Sequence, residues 1–376
     1  MAAIDQPKHS YSDTDPHKRI IGDVINLIDP VDTPVVAKLG LNSARSKFRL
    51  AADGKKVEWL EDTYGASAGS VSTAYTVGSS STSFTVADGT VFQPGHVIQI
   101  EDEYMVVSAV STDDVTVHSR TYGGTSDSHA ASTDIDIVGM ARLEGDDANY
   151  VGLTNISNPY NYTSIFQKAI NVTGTQQALD QWGISDELMY QENKAVPELM
   201  RNLELQFFHG VRAVGTSSTP RSMGGFETYV TDNTVYSSGT MIKSQLDDLA
   251  QYIYSDGGNP DTLVVSPATA NNIRDLIDSS SFVRVEQENT QFGMRPVTRI
   301  NTQFYQGIEL LVSRWCPVNR GYLFDSSKVG FYTLRPFQSY DIARTGDNWK
   351  REVIGEFSLC VSNDKAHGVL QSGATL

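Results

Sequence analysis

The longest stretch of this sequence with a single period runs from Ile184 to Ala213. Its apolar residues are spaced mostly three and four apart, which predicts an amphipathic helix, about 45 Å long if unbroken. Ser185, with Asp186 and Glu187 after it, gives the helix a typical N-terminus. Pro197 must either kink the helix or begin a second one after Lys194. The apolar stripe consists of Leu188, Val196, Leu199, Met200, Leu203, Phe207 and Val211.

The chain that follows this helix alternates between helical and extended patterns. Helices are predicted over Thr240–Ser255 and Ala268–Asp278, the second with Pro267 at its start. Strands interleaved with helices indicate an α+β fold. The predicted strands are Thr262–Ser266, Val297–Phe304, Ile308–Val312, Gly321–Phe324, Val329–Thr333 and Trp349–Cys360.

A block of short β-type runs precedes the long helix, between Ser70 and Ala141. Its regular turn signals predict a small all-β barrel or sandwich. The block carries nine acidic residues and one basic residue, which amounts to −8 and is half of the net charge of the chain, −16. A separate pattern and charge indicate an inserted domain. The predicted strands are Ser83–Val86, Val97–Ile100, Tyr104–Val110, Val115–His118 and Ile135–Val138.

Extended segments lie on both sides of this block. One begins near Lys47, and the other spans Ser164–Thr175. We interpret them as the two strands of one hairpin, with the β block placed between them.

The first 50 residues are typical of an arm that cannot fold by itself. Prolines restrict their neighbours to extended or turn conformations. A short amphipathic helix is predicted to stop before Pro30. Its apolar face needs a partner, either the body of the same chain or a neighbouring subunit. That face consists of Ile21, Val24, Ile25 and Ile28, flanked by Ile20 and Leu27.

Composition and charge exclude several classes of protein. With a pI of about 4.8 the chain presents no basic stripe, which argues against tight, specific recognition of nucleic acid. Two cysteines, Cys316 and Cys360, provide no disulfide framework, so we expect reduced, buried thiols in a cytoplasmic protein. Neither a signal peptide nor a run of ~18 apolar residues is found, so we expect no membrane association.

Catalytic and metal-binding patterns are weak. Gly65-Ala-Ser67-Ala-Gly69 has the letters of a nucleophile elbow but no helical pattern after it, so we interpret it as a flexible linker. His118 and His129 lack a third ligand, and Glu101–Glu103 is interpreted as a solvated hairpin turn. The sequence therefore predicts no catalytic residue, no cofactor and no metal site.

The order of segments resembles that of the Hong Kong 97-type major capsid proteins of tailed bacteriophages. The long helix matches the spine helix of that family in place and length. A β-domain inserted in the E-loop resembles one subgroup of the family. The other resembling motifs are Ile28-Asp-Pro-Val-Asp-Thr-Pro34 in the arm, Lys55-Lys-Val-Glu-Trp-Leu60 in the hairpin, Met223-Gly-Gly-Phe226 after the spine, and Asn259-Pro-Asp-Thr-Leu-Val-Val-Ser-Pro-Ala-Thr269.

The resemblance implies a Hong Kong 97-type fold with an N-arm, an E-loop hairpin, a spine helix, a P-domain, an A-domain and the inserted β-domain. Because the insertion replaces the hairpin tip, no cross-linking lysine can be assigned from the family. The implied boundaries are 1–46 for the arm, 47–69 and 142–180 for the hairpin, 70–141 for the β-domain, 181–230 and 325–376 for the P-domain, and 231–324 for the A-domain.

The implied function is a major capsid protein that self-assembles into hexamers and pentamers of an icosahedral head around double-stranded DNA. Implied partners are the portal and a scaffold or decoration protein. The implied location is the virion, after synthesis in the host cytoplasm. The alternatives are an encapsulin-type shell, a carbohydrate-binding β-rich protein and a structural tail protein. Expected subunit-interface residues are Ile20, Ile21, Val24, Ile25, Trp59 and Phe166, each with burial in its own chain as the alternative.

Overall fold

A computed structural model describes residues 32–41, 49–50, 54–75, 82–120, 122–123, 126–145, 155–179, 184–237, 243–279 and 299–372. The predicted arm helix before Pro30, with Ile20, Ile21, Val24 and Ile25, lies outside the described residues. The described part forms two compact units, Leu60–Asn158 and the combination of Met1–Trp59 with Pro159–Leu376. The unit made of Met1–Trp59 and Pro159–Leu376 is called the body here, and Leu60–Asn158 is called the β unit.

Helices and strands are numbered in chain order. The helices are α1 Pro34–Leu39, α2 Gly174–Ala178, α3 Glu187–His209, α4 Lys243–Ser255 and α5 Pro267–Ser279. The strands are β1 Arg49–Leu50, β2 Lys56–Glu58, β3 Ala68–Ser70, β4 Ser83–Thr85, β5 His96–Ile100, β6 Glu103–Ser111, β7 Asp114–Val117, β8 Asp134–Met140, β9 Tyr160–Tyr162, β10 Ser164–Thr173, β11 Thr234–Ser237, β12 Thr262–Val265, β13 Arg299–Ile300, β14 Ile308–Val312, β15 Arg320–Phe324, β16 Val329–Ile342, β17 Asn348–Val361 and β18 Gly368–Ser372.

Helix α3, called the spine helix here, is the predicted long helix. Asp186 caps it by accepting a hydrogen bond from the backbone N–H of Met189. Because the helix continues through Pro197, the alternative of a second helix after Lys194 is wrong. A proline inside a helix removes one i→i−4 hydrogen bond, and the packed apolar face of α3 outweighs that loss. This face consists of Leu188, Ala195, Leu199, Leu203, Phe207 and Phe208.

The spine helix packs on a three-stranded antiparallel sheet of order β10-β17-β16. Alternate residues of β10, namely Phe166, Ile170 and Val172, are buried on the side of the helix. Strand β16 is longer than the predicted Val329–Thr333 because two register shifts on either side of Arg335 allow pairing to continue past Pro336.

A six-stranded sheet forms the second layer of the body, in the order β11-β18-β15-β12-β14-β13 among the described strands. The buried runs Thr262–Val265 and Arg320–Phe324 lie at its centre, as expected for strands covered on both faces. Of the predicted strand Val297–Phe304, residues 297–298 lie outside the described residues. The strand ends at Ile300, earlier than predicted, because Thr302 and Tyr305 form a hydrogen-bonded turn.

The hairpin that begins near Lys47 closes differently from our prediction. Strand β2 pairs antiparallel with β9, so that Val57 lies opposite Asn161. The predicted return strand, β10, pairs along its whole length with β17 instead. The prediction that Ser164–Thr175 returns beside the first hairpin strand is therefore wrong. The pairing of β10 with β17 joins residues that are nearly 200 positions apart in the sequence. Local patterns do not indicate which of two distant strands will pair with β10.

The β unit contains a six-stranded sheet of order β3-β8-β5-β6-β7-β4 among the residues described there. Alternating residues of β5 form the centre of its own hydrophobic core with Met105, Val115 and Ile135. Gly65–Gly69 is not a flexible linker, since Ala68–Ser70 forms the edge strand β3 and pairs with Asp134–Asp136. The strand also lacks the helix that a nucleophile elbow requires behind it.

Within the described ranges, every helix is too short or too polar to cross a bilayer.

Candidate assembly surfaces

Two of the expected interface residues lie in the core of the body. Trp59 is 1% exposed, and its ring contacts the edge of Tyr229 at a centroid distance of 5.4 Å. Phe166 is 6% exposed and packs against Phe357, with ring centroids 6.1 Å apart. These positions agree with the alternative of burial in the same chain, because a side chain so deeply buried offers almost no area to a neighbour.

The base of the hairpin is fastened to the body by the side-chain amide of Asn161. This side chain is fully buried on β9. Its Nδ2 donates to the carbonyls of Leu359 at 2.6 Å and Gly224 at 3.2 Å, and its Oδ1 accepts from the N–H of Gly224 at 2.8 Å. One residue thereby connects the hairpin, strand β17 and the loop that follows the spine helix.

A buried carboxylate strengthens the same junction. Glu356 on β17 is 3% exposed and accepts a hydrogen bond from Thr163 at 2.7 Å. Arg221 from the loop after the spine helix and Arg335 from β16 both form ion pairs with it. Burial would raise the pKa of Glu356, but the hydrogen bonds from Thr163 and Arg221 and the positive charges outweigh burial and lower the pKa. The carboxylate is therefore permanently charged near neutral pH.

A second buried carboxylate, that of Glu204, lies on the spine helix. The segment of residues 32–41, called the arm segment here, begins α1 directly above it. Glu204 Oε2 accepts from the backbone N–H groups of Val35 at 3.2 Å and Val36 at 3.3 Å, and Oε1 accepts from the hydroxyl of Ser313. Burial raises the pKa of Glu204 to about 7, despite the three hydrogen bonds that lower it.

These three polar groups were not predicted from the sequence, although for Glu204 a signal was present. An acidic residue stands inside the apolar stripe of the spine helix, next to Leu203 and one turn before Phe207 and Phe208. Acidic residues are rarely buried without partners. A glutamate on the buried face of a helix therefore indicates a specific set of donors elsewhere in the chain.

Among the described residues, nothing covers one broad surface of the three-stranded sheet, on its side away from the spine helix. Ile165 and Tyr340 on that side are 47% and 51% exposed. Apolar and polar residues alternate across the strands according to the register of β10, β17 and β16. The surface is called the open sheet face here, and its residues are Ile165, Gln167, Ala169, Asn171, Gln338, Tyr340, Ile342, Lys350, Glu352 and Ile354.

Large apolar side chains are also exposed on the β unit. Leu60, Tyr64, Leu143 and Ile156 lie on the segments that enter and leave the unit, and each is more than half exposed. Glu61 and Ser157 join two of these segments through a pair of backbone hydrogen bonds. Grouped apolar residues of this kind are typical of interaction surfaces. The four residues are called the neck residues here.

The acidic turn of the β unit is only partly solvated, contrary to our prediction. Glu103 is 1% exposed and forms two hydrogen bonds with Arg120, at 3.0 and 2.8 Å. His129, also buried, lies between Glu103 and Glu101 with both ring nitrogens 2.9 Å from a carboxylate oxygen. Burial favours the neutral acid, but the hydrogen bonds from Arg120 and His129 outweigh it and lower the pKa of Glu103.

This arrangement gives His129 a structural role. His118 is exposed and is not part of the network. Among the described residues, no group of three or more His, Cys, Asp or Glu side chains is placed to hold a metal ion.

The comparisons with known proteins agree on one class. The family model described as SU10 major capsid protein matches residues 9–374. The chain belongs to this family. A curated relative, the major capsid protein of Escherichia phage Phieco32, is 23% identical over 266 residues, which are 57% of this chain and 76% of the relative.

One solved structure shows the fold over nearly the whole chain. The capsid asymmetric unit of cyanophage A-1(L) is 11% identical, with a TM-score of 0.59, and covers 97% of this chain and 99% of its own. The holo-SrpI encapsulin complex from Synechococcus elongatus PCC 7942 is 13% identical over 58% of this chain and 77% of its own, with a TM-score of 0.44.

The predicted fold class and the predicted function as a capsid protein are therefore confirmed. This SU10-type capsid protein is a component of a phage virion, and its copies form capsomers.

Proposed function

We propose that this capsid protein assembles into hexamers and pentamers, and that these close an icosahedral head around double-stranded DNA. The observation that carries the proposal is the family match, which extends over residues 9–374. The function is structural, and we propose no catalysis. We also propose synthesis in the host cytoplasm, with a portal and a scaffold or decoration protein as further partners.

The open sheet face and the neck residues are the proposed contacts between copies. Both combine exposed apolar groups with polar groups, as interfaces do. Stable assembly interfaces commonly bury more than ~2,000 Å². A sheet face of three long strands provides a broad, flat surface of the kind required, and the neck residues provide apolar anchors.

We further propose that residues 70–141 form a domain inserted in the hairpin, with the boundaries given above for the other domains. The separate hydrophobic core of the β unit supports this proposal. Deletion of residues 70–141 is then expected to leave a body that folds but forms poorer shells. Unfolding of the whole chain on deletion would contradict the insertion.

The charge of the chain supports the enclosure of DNA without tight binding. A net charge of −16 repels phosphate groups, so packaged DNA can slide along the wall. The net charge of −8 on residues 70–141 is most easily solvated if the β unit faces outward or bridges subunits.

The test is electron microscopy of the purified, concentrated chain, with light scattering on the same sample. Shells, or particles of five or six times 41.2 kDa, are expected. Tyr340→Asp on the open sheet face is expected to leave a folded chain that no longer assembles. Tyr236→Asp is the matched control, since Tyr236 is 71% exposed but lies outside both proposed surfaces.

A 41.2 kDa monomer at every concentration would contradict assembly and would turn attention to a glycan-binding screen. Equal loss of assembly in both tyrosine variants would contradict the role of the open sheet face. Shells that enclose a protein cargo instead of DNA would favour the encapsulin-type alternative. Tubes or rings would favour a tail protein.

A further inference from the structure

The arm segment is attached to the body through one ionisable side chain. Val35 and Val36 are 0% and 4% exposed and belong to the main hydrophobic core. Their N–H groups lie at the start of α1, where no helical carbonyl is available to accept them. Glu204 accepts both, so the same carboxylate that is buried in the core also completes the hydrogen bonding of the arm segment.

The arm segment also makes contacts that do not involve Glu204. Trp315 Nε1 donates to the carbonyl of Asp32 at 3.0 Å, and Thr333 donates to the carbonyl of Leu41. Lys38 forms an exposed ion pair with Glu309. Glu204 therefore contacts the arm segment at a place separate from these other contacts.

No cation neutralises Glu204 in the described structure. Its partners are two backbone amides and the hydroxyl of Ser313, all of which are uncharged. The half of β16 that packs beside the arm segment, residues 329–334, carries no charged side chain. The elements around Glu204 carry ionisable groups on the arm segment, the spine helix, β16, and β14 with the turn after it. Among the described residues they include Asp32, Lys38, Glu198, Arg201, His209, Glu309, Arg314, Cys316 and Tyr332.

Asp32 adds a negative charge that opposes ionisation of Glu204, and the thiol of Cys316 is held neutral by burial, which raises its pKa. Arg201 lies over the ring of Trp315, with 5.6 Å from its guanidinium carbon to the ring centroid. The surroundings of Glu204 therefore favour the neutral acid as long as the arm segment covers it.

We propose that Glu204 is a proton-responsive latch for the arm segment. Protonation holds residues 32–41 against the spine helix, and ionisation loosens them. The direction follows from linkage. With the arm segment in place Glu204 is buried and binds a proton more tightly than a hydrated glutamate does. Uncovering the side chain releases that proton, so a rise in pH through neutrality favours the loosened state.

The latch goes beyond the proposed shell function, because it concerns the attachment of the arm segment within one chain. A subunit whose arm segment loosens can offer Val35, Val36 and Leu39 to a second copy of the chain.

Glu204→Gln is the decisive variant. Glutamine has the same shape, accepts the two N–H groups through Oε1 and donates to Ser313 through Nε2, without a titratable proton. Amide hydrogen exchange of peptides covering residues 32–41 is measured in the full chain from pH 5 to pH 8.5. At each pH the wild type is compared with the variant, so that the intrinsic pH dependence of exchange cancels.

Equal protection is expected near pH 5, and at pH 8 the wild type is expected to exchange faster than the variant by about tenfold to a few hundredfold. A ratio that does not change with pH would overturn the latch, as would a wild type that is better protected at high pH. The result does not depend on shell formation, so a failure of assembly and a failure of the latch are distinguishable.

Ser313→Ala provides a second, independent test. The hydroxyl of Ser313 stabilises the ionised carboxylate, so its removal is expected to move the loss of protection to higher pH. A midpoint that stays in place or moves to lower pH would overturn the assignment. This variant is compared with the wild type alone, so the test remains valid if Glu204→Gln folds poorly.

Discussion

The two buried glutamates of the body hold different parts of the chain by opposite means. Glu356 lies between two arginines at the base of the hairpin, and its charge is stabilised. Glu204 lies under the arm segment with neutral donors only, and its charge is opposed by burial. The hairpin is therefore attached through a permanent charge, whereas the arm segment is attached through a carboxyl group whose charge is opposed.

The difference also sets opposite dependences on pH. The lowered pKa of Glu356 means that its contribution to stability is present above pH ~4.5 and is lost as the pH falls. The raised pKa of Glu204 means that the folded state binds a proton that the unfolded state has released, so stability falls as the pH rises from about 4.5 to about 7.

Removal of one cation from the hairpin base is expected to have the largest effect. Arg221→Met leaves Glu356 buried with Arg335 as its remaining cation. We expect the free energy of unfolding to fall by about 3–5 kcal/mol, the range for a broken buried pair, in urea titrations at pH 7. Arg314→Met, at an exposed arginine, is the control and is expected to change it by less than ~0.5 kcal/mol. Similar losses in both variants would remove the distinction between the two glutamates.

The second prediction concerns the opposite slope at Glu204. We compare the unfolding free energy of the wild type with that of Glu204→Gln at each pH. The difference between the two is expected to change by up to about 3 kcal/mol between pH 5 and pH 8, because the wild type loses stability as the pH rises. Urea titrations of both proteins at each pH measure this difference, and other titrating groups cancel. A difference that is constant over this range would contradict the buried, titrating carboxylate.

An intermediate loss of stability is expected when Asn161, the uncharged side chain that connects the base of the hairpin to the body, is replaced. Asn161→Leu keeps the volume but leaves the N–H of Gly224 and the carbonyl of Leu359 without their buried partner. We expect a loss of about 1–3 kcal/mol in thermal or urea unfolding. Asn202→Leu, on the exposed side of the spine helix, is the matched control and is expected to be nearly neutral. A neutral Asn161→Leu would mean that the arginine pairs alone hold the hairpin.

The smallest effect is expected where a carboxylate is accessible to water. Glu192 on the spine helix pairs with Arg351, and both side chains are about a quarter exposed. Glu192→Gln is expected to cost less than about 1 kcal/mol, and less still in 0.5 M NaCl, because exposed ion pairs are weak and screened. A larger loss, measured by the same urea titrations, would show that burial does not determine how much a carboxylate contributes to the stability of this protein.

Local patterns predicted the elements well. The three-and-four spacing located α3, and the short alternating runs located β4 to β8 within one or two residues at most ends. These features depend on residues close in sequence, so they can be recognised without knowledge of the fold. The fold class came from their order along the chain.

The pairings that make the candidate site were not predictable in the same way. Glu204 meets its donors 109 to 169 residues away, and Glu356 meets Thr163 across 193 residues. Trp59 and Phe166 were expected at an interface from the family resemblance, with burial in the same chain as the alternative. Nothing local in the sequence distinguishes a buried aromatic residue from an exposed one, so the choice between the two stayed open. The return strand of the hairpin was misplaced for the same reason, since β17 was a better partner for β10 than any nearby segment.

The position of β18 has a consequence for synthesis. It lies between β11 and β15, pairing with one in parallel and the other antiparallel, although it is translated after every other described strand. In a nascent chain, the position between β11 and β15 in this sheet therefore stays unfilled until residues 368–372 leave the ribosome. Until then β11 and β15 have no common neighbour, and a prematurely released chain would lack a complete body. Because the last described strand is also an internal strand, this sheet of the body is completed only at the end of translation of the described residues.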